Sequence, residues 1–87
     1  MKFYCVSVEF YDYGKVLACV TESGRKEKPN QQFRRVCGLT AFKIWFANEA
    51  VAIRLLAGIE NGEFDLDYVQ SLYSVFNEYE CQQKEAA

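Results

Sequence analysis

Four cysteines, Cys5, Cys19, Cys37 and Cys81, are the side chains best suited to nucleophilic, redox or metal chemistry, and no histidine accompanies them. Without an imidazole the chain lacks the commonest general base at neutral pH. It also lacks Cys–His and Ser–His pairs and any zinc site that needs a histidine ligand. No two cysteines form a C-x-x-C pair, so neither a zinc ribbon nor a thioredoxin-type dithiol has local support. An even cysteine count in a short chain permits two disulfides in three connectivities. Cys5 and Cys19, however, fall in alternating apolar stretches, where a reduced thiol packs as a small hydrophobe. The segment Met1 to Glu9 is too short for a secretory leader and is broken by Glu9. Reduced cysteines and a cytoplasmic location are therefore expected.

The carboxylates fare no better as acid/base partners. Asp65 and Asp67, like Glu78 and Glu80, are two residues apart, which points them to different sides of a helix. Glu60 and Glu63 flank a turn at Gly62. No phosphate-cradling glycine loop and no G-x-S-x-G elbow is present. These absences predict a protein that is not an enzyme and that uses no metal or cofactor.

The elements that must carry these residues follow from periodicity. Tyr4, Val6, Val8 and Phe10 alternate with Phe3, Cys5, Ser7, Glu9 and Tyr11, the period of a strand. Asp12-Tyr13-Gly14 supplies a turn, with Gly14 free to take positive φ. Alternation returns over Lys15 to Thr21, and a register opposing Phe10 to Val16 puts both apolar faces together. Glu22 to Gln32 is polar and aperiodic and holds the single proline, which marks a loop. Phe42, Ile44 and Phe46 define a third strand, starting as early as Phe33 with Gly38 at a bulge. Asn48 fits a helix N-cap and Glu49 the first turn. Ala52, Leu55, Leu56 and Ile59 recur at helical spacing until Asn61-Gly62. A second helix, capped by Asp65 with Phe64 as a staple against Val69, is expected from the stripe Leu66, Val69, Leu72, Tyr73, Phe76 and Tyr79. Residues 82–87 are expected to fray.

The 87 residues, 51% hydrophobic, thus predict one α+β domain spanning 1–87. Its antiparallel three-stranded sheet, a β-hairpin plus a third strand, carries two C-terminal helices packed on one face. No apolar run approaches the length of a membrane span.

Three surfaces then stand out. Residues 1–55 hold nine Lys/Arg against five Asp/Glu, whereas residues 56–87 hold one Lys against seven acids. The acidic segment, chiefly Glu63, Asp67, Glu78 and Glu80, is suited to a partner protein with a basic surface. Arg25, Lys26, Lys28, Arg34 and Arg35 form a basic segment suited instead to phosphates, with Phe33 available to stack on a base. Nucleic acid is the alternative partner on that account. Finally, Trp45 and Leu17 fall on the sheet face away from the helices, where a large apolar surface predicts either a homodimer or partner contact or a cover made by the β3 segment or the loop folding over it.

The stretch from Met1-Lys2-Phe3-Tyr4 through Lys28-Pro29, the aromatic strand ending Trp45-Phe46 and the helix opening Asn48-Glu49-Ala50 resemble the layout of small proteins from phages and mobile elements. Some of these, such as the anti-CRISPR proteins, block host defence complexes. The resemblance covers about the first 60 residues in strand pattern and turn placement. It implies a binding-only inhibitor and assigns no residue a role.

Overall fold

A computed structural model describes residues 1–73 of the chain. It comprises β1 (Lys2–Tyr11), β2 (Val16–Gly24), β3 (Gln32–Val36), β4 (Leu39–Phe46) and α1 (Glu49–Glu60). A second helix, α2, runs over residues 66–73. The sheet is antiparallel throughout, in the order β2-β1-β4-β3. It therefore has four strands, one more than the sequence pattern predicts.

The first hairpin has the expected register: Phe10 opposes Val16, Val8 opposes Ala18, and Val6 opposes Val20. Gly14 takes φ +97° at the end of the three-residue loop. The extra strand arises where a bulge was expected. Gly38, at φ +80°, closes a two-residue turn with Cys37, so that Val36 opposes Leu39 and Phe33 opposes Phe42. That φ is what a type II turn requires at its third residue, and glycine meets it without steric cost.

Strand parity sorts the side chains. Val6, Val8, Phe10, Phe42, Ile44 and Phe46 face the helices and pack with Ala52, Leu55, Ile59 and Val69. Phe42 and Ile44 are fully buried there, contributing about 1.5–3 kcal/mol each. The Asn48 side chain caps α1 by accepting from the Ala50 and Val51 amides, and α1 gives way at Asn61-Gly62. Asp65 Oδ1 accepts from the Tyr68 amide at 2.9 Å, starting α2 as the sequence implies. Phe64 stacks on Tyr68 with ring centroids 4.3 Å apart. Phe76, Tyr79, Cys81 and the expected frayed end lie outside the described residues. No described helix is long and apolar enough to cross a membrane.

Candidate functional site

The sheet has an outer face, turned away from the helices. Phe3, Cys5 and Trp45 form a small second core there. Of the two expectations for this face, coverage by the loop holds at Trp45, which is only 9% exposed. Two features of the loop after β2 account for its burial. The Arg25 guanidinium lies 5.6 Å from the Trp45 ring centroid. Gln31, 7% exposed, presents Oε1 to the Trp45 backbone amide at 2.7 Å. Since β3 begins at Gln32 opposite Lys43, the ladder on that edge of β4 ends before Trp45. The Gln31 side chain supplies the acceptor that a strand would have given. Leu17, by contrast, is 46% exposed. A dimer expected from Leu17 and Trp45 together loses the larger of its two side chains.

Further along, on the β3 side of the sheet, lies a groove of about 590 Å³ whose lining takes Ser7, Glu9, Gln31, Gln32, Arg34 and Lys43 from the outer rows and also Phe33, Phe42 and Tyr73 of α2 from the helix side. Lys43 opposes both Ser7 on β1 and Gln32 on β3, and Arg34 opposes Ala41, so the two cations are diagonal neighbours on one face. Glu9 is the acid on this wall, and its Oε2 accepts from the Tyr11 hydroxyl at 2.7 Å. That bond holds the Tyr11 hydroxyl above its usual pKa. Arg35, one residue on, points to the opposite face. Its guanidinium donates to the Thr40 hydroxyl and pairs with Asp12 at 3.2 Å. The Asp12 amide also donates to the Gly38 carbonyl, which ties the two hairpin turns together.

The basic segment read from the sequence is therefore split. Arg25 and Arg34 serve the outer face, Arg35 is tied to Asp12, and Lys26 and Lys28 sit exposed in the loop. Sequence reasoning missed Lys43 and Gln31. The alternation of β4 already placed Lys43 opposite Phe42 and Ile44. Nothing in the sequence marks Gln31, whose burial depends on where β3 starts.

The acidic residues belong to the other layer. Glu63 pairs with Arg54 at 2.8 Å, and this bond raises the Arg54 pKa. Asp67 is exposed on α2, and Asp65 is committed to its cap. Glu78 and Glu80 lie outside the described residues. Along α1, Glu49, Ile53 and Glu60 follow a spacing of four and seven residues that puts them on one side of the helix. Ile53 is 51% exposed. Leu17 and the acids thus stand on opposite layers and do not form one surface.

Among the described residues no cluster of three cysteines or carboxylates is placed to hold a metal ion. Cys5 is buried, Cys19 and Cys37 are exposed, and all three are unpaired. Burial pushes the Cys5 thiol above its ordinary pKa, against a smaller opposing effect of its hydrogen bond with Ser7. Compared with known protein families, curated proteins and solved structures, the chain matches none of them.

Proposed function

We propose that this is a non-enzymatic binding protein that acts by protein–protein contact. In this reading it is a phage-type inhibitor of a host defence or nucleic-acid-handling complex, and its partner presents a basic surface. The observation that carries the reading is the division of charge between layers. Residues 1–46 hold eight Lys/Arg and four Asp/Glu; residues 47–73 hold Arg54 alone against Glu49, Glu60, Glu63, Asp65 and Asp67. The helix layer is therefore an acidic face. Ile53 stands exposed between Glu49 and Glu60 on it, and Tyr68 is also partly open. Acids around exposed apolar side chains suit a protein contact with a polar rim. The same acids repel a phosphate backbone.

Opposite potentials speed encounter, and rim charges act on the association rate more than on dissociation. The test is capture from a nuclease-treated bacterial lysate by the immobilised protein and by its Glu60→Lys/Asp67→Lys variant. A protein held in stoichiometric amount by the wild type and reduced about tenfold or more by the variant at low salt agrees with the reading. Capture that is indifferent to these acids and is lost with Arg34→Gln/Lys43→Gln contradicts it. Glu78→Lys/Glu80→Lys belongs in the same series, since those acids extend the segment.

A further inference from the structure

The groove beside β3 is unexplained by a contact made through the helix acids. Its polar groups are ordered along the strands. Register places them in sequence from the Trp45 end of β4 to its Leu39 end: Arg25 over Trp45, Gln31 bonded to the Trp45 amide, Lys43, Arg34 beside Ala41, then Tyr11 opposite Leu39. Six residues of strand separate the ends, about 20 Å. Donors dominate this line. Gln31 lines the groove and uses its Oε1 on the Trp45 backbone, while its Nε2 has no partner among the described residues. Neither Arg34 nor Lys43 is ion-paired with a carboxylate among the described residues, whereas Arg35 and Arg54 are. Among the described lining residues Glu9 is the one acid, set against the two cations and accepting from the Tyr11 hydroxyl. At the far end Tyr13, 75% exposed, leans on Tyr11 with centroids 5.5 Å apart.

We propose that this groove binds the phosphodiester backbone of single-stranded nucleic acid, with Lys43 and Arg34 on phosphate oxygens and Tyr13 stacking on a base. Cations along a backbone track, followed by an aromatic side chain open to a base face, are the two components of sequence-tolerant single-strand binding. A duplex fits less well. Its bases are already stacked, which leaves no base face open to Tyr13. Lys43, Arg34 and Tyr13 lie on other elements than Glu60 and Asp67, so different substitutions test this site and the protein contact proposed above.

The test is fluorescence anisotropy of a labelled eight-nucleotide DNA across a salt series. Binding is expected to weaken with salt, and Lys43→Gln/Arg34→Gln should lower affinity by roughly tenfold or more and reduce the salt slope by about two. Tyr13→Ala should weaken binding several-fold while leaving the slope unchanged. Lys43, Arg34 and Tyr13 are all exposed, and Trp45 fluorescence reports whether each variant keeps its fold. Glu60→Lys/Asp67→Lys should not weaken binding. Three results overturn the proposal. One is absence of binding at low salt. Another is displacement of the oligonucleotide by inorganic phosphate at equal phosphate concentration with Tyr13→Ala silent, which marks a simple anion site. The last is equal affinity for polyglutamate, which marks an acidic protein as the occupant.

Discussion

Gly58 sits on the inner side of α1 where a side chain has no room. A Cβ there would overlap the Phe64 ring, which is held between Tyr68 and the Arg54 guanidinium, the latter 5.2 Å away. Alanine favours a helix interior over glycine by about 1 kcal/mol, but forcing a packed ring aside costs about 1–3 kcal/mol. The clash is expected to win. Gly58→Ala should lower unfolding free energy by about 1 kcal/mol in urea titration, and a gain in stability would show that Phe64 moves freely. The thiols offer a second check. Cys19 and Cys37 should alkylate rapidly in the native protein while Cys5 resists, as read by mass mapping of the labelled peptides. The raised Cys5 pKa also carries a sign. The folded thiol stays protonated where the unfolded one ionises, so its contribution is complete below about pH 8.5 and is lost as pH rises beyond it. Cys5→Ala should flatten that alkaline decline.

At the scale of elements, helix capping is the most direct lever. Asn48 receives two amide donors, at 2.8 and 3.4 Å, and Asn48→Ala should cost about 1 kcal/mol. A loss much smaller than that would mean water replaces the cap. Both caps and the first hairpin were legible from sequence because each depends on a local signal: an Asn before an apolar helical stripe, an Asp at the next start, and two alternating strands around a glycine turn. The β3–β4 hairpin was not. All five residues of β3 are largely exposed, and Phe33, packed on Phe42 and Tyr73, is the one ring it lays on the core side, so the strand shows little contrast between its sides. Gly38 alone could equally mark a bulge. The burial of Trp45 was hidden for a related reason. It depends on a polar side chain, Gln31, completing a ladder that β3 leaves short, and hydropathy cannot register such a bond. Of the residues expected to meet a partner, Leu17 and Asp67 are exposed as anticipated, Trp45 is not, and Glu63 has an arginine beside it.

At the scale of the whole molecule, the described residues are polarised, with a cation-rich sheet layer against an acidic helix layer, although the chain's formal charge is only −2. Small net charge with separated faces gives weak long-range attraction but strong orientation at close approach. That arrangement suits a protein that docks by one layer and leaves the other free. The surface ion pairs Lys2–Glu22 and Arg54–Glu63 are largely solvated and add little to stability. Charge changes on either layer should therefore alter binding without unfolding the chain. The most direct measurement is the association rate of the captured protein partner with wild type and with Glu60→Lys/Asp67→Lys, followed from low to high salt. Docking through the helix layer predicts a rate that falls several-fold in the variant at low salt, converges with wild type at high salt, and is unmoved by Lys43→Gln/Arg34→Gln. A rate that ignores the helix acids and collapses when the outer-face cations are removed would contradict it.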